Sequence, residues 1–490
     1  MRIEDIMNLP TEAQKIEELK KRVTPEPDLN RLLSDWDIHN HDVMNPNIRK
    51  DGRKVTKEAV KDPLGRVIEQ EQTETDYVNR IPLPLEQDMT NVHTAFTVGT
   101  EPNITATDNT DEEKNLFAAF TQVLKRNKTK YLNKKAVRSW LSEKEVAEYW
   151  YTVENETWWQ KVVSAVAKVF KKSSVNRKIK VAVWSPFRGD KLYPLFDEYG
   201  DMIAFSRAYK IKADKTTDID CFMTVDKEFV YKWRAAPDWV AEKPIKHNFG
   251  NLPIVYMYRP KTLCEDIRNI RNRLEILLSN YADCIDYNFF PRLVLEGDVV
   301  GKPTKGNGDM IKIQPNPSGN KTSVYYLTWT QTPESIKLEM ESLFEKAYSL
   351  TNTPRISFEN MKGMGQQSGT AFRYTFMGAH MAVENHAEVV EEYLQRRCNL
   401  LIGAIGLMDS QYYKASQTLD VSVEIVPYMI DDLKERIDIA TTAVGGKSVV
   451  TRREGIILAG ISDNVDDTLK EIEDEETKAS ELNNFPTATI

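Results

Sequence analysis

Residues 332–405 read TPESIKLEMESLFEKAYSLTNTPRISFENMKGMGQQSGTAFRYTFMGAHMAVENHAEVVEEYLQRRCNLLIGAI. Thr332-Pro333-Glu334 opens a helix: a capping hydroxyl, a proline at the first helical position and a carboxylate at the positive end. Ile336, Met340, Leu343, Ala347 and Leu350 step by four and three, which draws one apolar stripe. Asn352-Thr353-Pro354 ends it. Gly363, Gly365 and Gly369 then punctuate a polar, flexible segment. A second helix runs from near Gly369 to about Ile405, with Phe372, Phe376, Ala379, Val383, Val390 and Leu394 on its stripe. At a rise of 1.5 Å per residue it is roughly 50 Å long. A segment held between two rods is a candidate working part; a plain helical hairpin with a disordered turn fits the same pattern.

Upstream, Leu263 to Phe289 carries a heptad seam: Leu263, Ile267, Ile270, Leu274, Leu277, Tyr281 and Cys284. Such spacing suits a helix lying nearly parallel to another. The helix after Thr332, with Ile336, Met340 and Leu343, is the natural partner. Arg268, Arg271 and Arg273 flank the seam. Between the two helices, Arg292–Val300, Met310–Gln314 and Val324–Trp329 alternate as strands, with Gly, Pro and Asn in the turns.

Pro82 and Pro84 lead into a helix striped by Leu85, Met89, Val92 and Phe96, which Gly99 and Pro102 close. Further helices are expected around Leu116–Leu124 and Lys134–Trp150. Trp158–Lys172 has an apolar helical face beside several lysines; it suits a solvated surface helix and, in kind, a membrane-surface one. Strands follow at Lys178–Trp184, Tyr193–Asp197 and Ile203–Ile211, then a hairpin of Cys221–Val225 with Glu228–Trp233, and another strand near Ile254. After Ile405, Ser422–Val426 reads as a strand. Asp431–Val444, a short helix capped by Thr451, and the acidic Asp463–Glu476 read as helices. The fold class is α+β, predominantly helical.

The chain has 490 residues and a net charge of −8, which disfavours a protein that grips nucleic acid tightly. Four cysteines without a CxxC pair are read as buried thiols of a reducing compartment. No apolar run reaches bilayer length, and Met1–Pro10 lacks the apolar stretch of a signal peptide, so no membrane partner is expected. Residues 1–75 read as a partly extended arm that packs on a neighbour or stays mobile. Its His39 and His41 have metal-ligand spacing, with nothing nearby to complete a site. Gly446-Lys447-Ser448 lacks the glycine that a phosphate loop needs at position 441, where Thr441 stands, and a helix precedes it. His380, Glu384 and His386 share part of one helix, but His380 and His386 are six apart and face different sides. No catalytic set, metal site or cofactor site emerges.

Several stretches in this order resemble the portal, or head-to-tail connector, proteins of long-tailed bacteriophages. They are Phe96–Pro102, Val183–Pro186 through Pro194–Gly200, Asn248–Val255, Asp283–Asn288 before Arg292–Gly297, and Ser368–Tyr374. The resemblance covers about Asp76 to Glu476. It implies a wing (76–262), a stem of two helices (263–291 and 332–352), a β-rich clip (292–331), a tunnel loop (353–368), a long wing helix (369–407), a crown (408–476) and a disordered tail (477–490). It further implies a homo-oligomeric ring, dodecameric in the virion, at one capsid vertex. Double-stranded DNA would pass through its channel. The terminase large subunit and a head-completion adaptor would dock on it, among the major capsid and scaffolding proteins, with assembly in the host cytoplasm.

On that reading Arg355 and Lys362 touch phosphates, and Asn360, Gln366, Gln367 and Ser368 offer neutral contacts; alternatively the two cations pair with Glu359 or a neighbouring subunit. An enzyme is not expected. Two other readings stand beside it: a ring-forming virion or scaffold protein without DNA passage, and a packaging ATPase.

Overall fold

The computed structural model describes residues 3–57, 60–61, 67–70, 72–107, 109–154, 177–212, 218–288, 292–296, 298–299, 313–314, 323–327, 333–355, 376–428, 433–445, 449–460 and 465–483. In chain order the first helices are α1 (Ile3–Met7), α2 (Glu12–Leu19) and α3 (Leu29–Trp36), followed by β1 (Gly52–Lys57), β2 (Val60–Lys61), β3 (Val67–Glu69) and β4 (Gln72–Asp76). Helix α4 (Leu85–Val98), strand β5 (Asn103–Thr107), and helices α5 (Asp111–Arg126) and α6 (Thr129–Glu143) come next. Strands β6 (Glu145–Glu154), β7 (Arg177–Trp184), β8 (Lys191–Phe196), β9 (Met202–Lys212), β10 (Asp218–Val225), β11 (Phe229–Ala235), β12 (Trp239–Ala241), β13 (Ile245–Lys246) and β14 (Ile254–Tyr258) form the β-rich middle. Helix α7 (Arg268–Asn288) leads into β15 (Arg292–Glu296), β16 (Asp298–Val299), β17 (Ile313–Gln314) and β18 (Ser323–Leu327), and α8 (Pro333–Leu350) returns. The chain continues with α9 (Met377–Met408), α10 (Ala415–Thr418), β19 (Asp420–Glu424), α11 (Leu433–Val444), α12 (Arg452–Ala459) and α13 (Val465–Asn483).

The sheets are antiparallel. One runs in the order β12-β11-β10-β9-β8, with β13 beside β11; a second is β14-β6-β7; and β5 pairs with β19 across most of the chain length. The insert between α7 and α8 holds the pairs β15–β18 and β16–β17. The main apolar core gathers α4, α5, α6 and α9 against β6 and β14, through residues such as Phe120, Leu141, Trp150, Val255 and Leu401. A second core, with Ala147, Trp184, Phe205 and Tyr256, lies where the two larger sheets meet. The fold is mixed α+β.

Local chemistry sets several boundaries. Thr110 and Glu113 form a reciprocal capping box on α5, and Thr451 and Glu454 another on α12. The expected helix over Lys134–Trp150 is corrected. It stops at Glu143, Lys144 takes a left-handed conformation (φ 72), and Glu145–Glu154 is a strand. Val146 and Trp150 are spaced like a helical face, but β6 is the central strand of its sheet, and Ala147 and Glu148 are buried as well. Tertiary pairing overrides the pattern there.

The N-terminal residues also depart from an arm reaching to a neighbour. Ile6, Ile16 and Leu19 pack on Tyr193, Phe222 and Trp233 of this chain's own sheet, and Arg22 pairs with the buried Glu145 at 2.7 Å. Cysteines 221, 264 and 398 are buried, but Cys284 is exposed, contrary to the buried-thiol expectation. Helix α13 continues to Asn483, past the expected start of a disordered tail at 477. The expected helix at 158–172, the cap at Thr332 and the Gly446–Ser448 stretch lie outside the described residues.

Candidate functional site

Helices α7 and α8 lie side by side. Ile267, Ile270 and Leu274 of α7 and its approach share one cluster with Met340, Leu343 and Ala347 of α8, closed by Leu85, Met89 and Cys264. Leu263 is half-buried and touches both this cluster and the main core. Leu277 is buried, and Tyr281 and Ile336 are half-buried; none of these three joins the cluster among the described residues. Arg273 donates to Glu339 at 2.7 and 2.9 Å across the pair. Apolar side chains also remain outside: Ile276, Ile285, Leu338 (68% exposed) and Leu350 (64% exposed).

Helix α7 carries a second stripe that the heptad reading missed. Arg271, Glu275 and Ser279 repeat every four residues and are fully buried. They face the N-terminal segment and α4. His41 Nδ1 meets Glu275 Oε1 at 2.6 Å, and the Leu83 N–H donates to the same oxygen at 2.8 Å. Arg271 pairs with Asp35 and Glu86, and Arg268 with Asp35. Burial pushes the Glu86 carboxyl upward, opposed by the Arg271 guanidinium. The Ile81 N–H donates to Ser279, the Asn79 N–H to Asp283, and Arg49 pairs with Asp283. A signal was present: charges at i, i+4 along the same rod, with Asp35, His41 and Arg49 waiting upstream. His41 is thus a partner of Glu275, while His39 is exposed, so the two histidines do not converge.

The segment after α8 is rooted at both ends on one helix. At the first end Asn352 adopts φ 52, the Thr353 N–H donates to Tyr348 O at 2.9 Å and the Asn352 N–H to Ser349 O at 3.1 Å. These are the two bonds of a Schellman cap. Thr353 Oγ1 sits 2.9 Å from His93 Nε2, whose Nδ1 lies 3.2 Å from His386 Nε2 on α9. Both rings are buried. Burial lowers His93 to about 4 and His386 to about 3, the latter helped by its neighbour. At the other end Phe376 is buried with its ring centroid 5.6 Å from that of Phe96, three residues beyond His93 on α4. Tyr348 Oη donates to Asp88 at 3.0 Å, and burial with that carboxylate raises its hydroxyl to about 12.

Of the six expected phosphate and neutral contacts, only Arg355 is described; its guanidinium lies 5.6 Å from the Phe344 ring centroid. Asn360, Lys362, Gln366, Gln367 and Ser368 lie outside the described residues. Among the described residues no group of His, Cys, Asp and Glu is placed to hold a metal, and no helix is long and apolar enough to cross a membrane. His380 rests against Phe96 while His386 turns to His93.

Two helical rods bridged by a β insert, with a connecting segment rooted between the second rod and a long helix, define a portal-type subunit. The SPP1 Gp6-like phage portal family matches residues 28–482, and the chain belongs to that family. Two solved structures are similar to it: the neck of an empty gene transfer agent particle (10% identity, 78% of this chain and 90% of that one, TM-score 0.38) and the virion of a native gene transfer agent (10% identity, 78% and 89%, TM-score 0.35). No curated protein matches the sequence.

Proposed function

We propose that this portal-family chain assembles into a ring, twelve-fold in the virion, at one capsid vertex, and that double-stranded DNA is packaged and ejected through its centre. Membership of the portal family over residues 28–482 carries this reading. The apolar side chains that α7 and α8 leave outside their shared seam supply surface for side-by-side copies. In this arrangement α7 and α8 form the stem, 292–331 the clip, 353–368 the tunnel loop, and 408–476 the crown. The ring serves as a non-enzymatic docking platform for the terminase large subunit and then a head-completion adaptor, within a shell of major capsid and scaffolding proteins. Arg355 and Lys362 meet passing phosphates; an acidic chain with few basic loop residues favours sliding over gripping.

Electron microscopy of the purified protein tests assembly: a ring with a central channel is expected, and a monomer at all concentrations refutes it. Deleting Phe358–Gln367 is expected to preserve rings and impair packaging, and Arg355→Ala with Lys362→Ala to reduce it. Loss of rings in the deletion would place the loop wrongly; normal packaging in the double variant would remove the phosphate assignment.

A further inference from the structure

A cleft of about 1560 Å³ opens between the C-terminal end of α5, the edge strand β7, the β10–β11 turn and the end of α9. Arg126, Lys128, Lys178, Lys180, Lys227 and Lys246 line it, with Glu228 and Asp409 as the carboxylates among the described lining residues. This is a cationic concentration in a chain whose net charge is −8. All six cations are exposed, and only Lys246 has an acidic partner among the described residues, Glu228 at 3.3 Å. The cleft is also braced. Asn127 Nδ2 donates to Ile179 O at 3.0 Å, tying the end of α5 to the outer edge of β7, and Lys128 is held left-handed at φ 53. Like charges gathered without counterions repel one another, and an anionic occupant relieves that cost.

We infer that this cleft receives the acidic face of helix α13 from an adjacent copy of the chain, an inference that rests on the ring-forming reading above. Helix α13 reads VDDTLKEIEDEETKASELN. Its Leu469 and Ile472 are half-buried, while Asp467, Glu471, Asp474 and Glu475 are exposed. Arg452 of α12 already pairs with Glu476 at 2.6 Å, which fixes the helix on its own chain. Glu471, Asp474 and Glu475 have no ion-pair partner among the described residues. Among the described residues, none of α13 lines the cleft. Size fits: three turns of a helix about 10 Å across fill on the order of 1,300 Å³.

The test uses full-length chains in a Cys284→Ser background, which removes the one exposed thiol among the described cysteines. Lys178→Cys chains are mixed and assembled with Glu475→Cys chains, then treated with a short bismaleimide. The product is read by mass, and assembly by electron microscopy. A crosslink between the two chain types is expected. Its yield should fall about tenfold with Lys128→Glu and Lys180→Glu, or in high salt. It should return when Glu471→Lys and Asp474→Lys are added on the partner chain. Rings without an interchain crosslink, or a crosslink only when both cysteines share one chain, overturn the inference and leave the ring intact. Absence of assembly overturns both. A short fluorescent duplex that binds the assembled protein and is lost with Lys178→Glu and Lys180→Glu, with no crosslink, assigns the cleft to nucleic acid instead.

Discussion

Helices α7 and α9 are both long and both bury apolar side chains, yet α7 adds a continuous polar stripe to its apolar seam. Helix α9 lies in the main apolar core, through Val383, Val390, Leu394, Leu401 and Ile405, with one buried ion pair among the described residues, between Arg397 and Glu148. Helix α7 sets a polar stripe against a segment from far upstream, residue by residue, from Asp35 to Asp283. Apolar burial is non-directional and tolerates small shifts. Hydrogen bonds and ion pairs are lost when their geometry is missed. The contrast teaches that α9 is anchored by area, whereas the axial position of α7, and with it the rod pair, is specified bond by bond.

The largest expected effect is on α9. Arg397 forms two bonds to Glu148, at 2.9 and 2.6 Å, and one to Asn133, all out of water. Burial disfavours its charge, but the carboxylate outweighs this and its pKa moves upward. Arg397→Met strands Glu148 and should cost about 3–5 kcal/mol in urea unfolding, most of it recovered by adding Glu148→Leu. A loss below 1 kcal/mol would mean that α9 does not depend on the pair at all. On α7, Glu275→Gln removes the charge that both His41 and the Leu83 N–H address, and should cost about 1.5–3 kcal/mol. Limited proteolysis should then cut more readily around residues 37–45; unchanged cutting would break the idea that the stripe clamps the N-terminal segment.

Acid probes the link between the two regions, since His93 on α4 joins α9 to the root after α8. Both histidines have folded values below the ordinary 6.5, so the unfolded chain takes up protons that the folded chain refuses. Their contribution is present above pH 6.5 and is lost as pH falls toward 4. Glu143, Glu145 and Asp190, pushed upward by burial, act with the opposite sign. The informative quantity is therefore the difference between wild type and His386→Gln from pH 6.5 to 4. It should change by on the order of 3 kcal/mol, with wild type losing more. A flat difference would dismiss the histidine pair as a linked element. The smallest effect belongs to the cap: Asn352→Gly should shift stability by about 0.5 kcal/mol, and Asn352→Val should cost about 1 kcal/mol, because only the latter resists a positive φ.

Much of this was legible from spacing. The four-three steps of Ile267, Ile270 and Leu274, and of Met340 and Leu343, pointed to two rods that pack together, because a helix displays its sequence period on one face. Thr451 announced a helix start, and the structure adds Glu454 to complete its capping box. Elsewhere the period misled. Val146 and Trp150 sit four apart in a strand held between β7, the next strand in the chain, and β14, which comes from some hundred residues downstream. The polar stripe of α7 stayed hidden because Arg271 and Glu275 look like a solvated face until Asp35, Glu86 and His41 are brought against them. The His93–His386 contact joins residues 293 positions apart, and no local pattern foretells it.

Strand β5 has β19 as its one ladder partner among the described residues, with Thr105 and Ser422 hydroxyls 2.7 Å apart. Val421 beds into the main core and Val423 packs against it. The closing portion of the polypeptide is therefore not a detachable appendage. A truncation before Asp420 would leave a bare strand and an uncovered apolar floor in the body of the subunit, a template for pairing with any other exposed strand. Such a product would be expected to precipitate, rather than persist as a shortened but orderly particle.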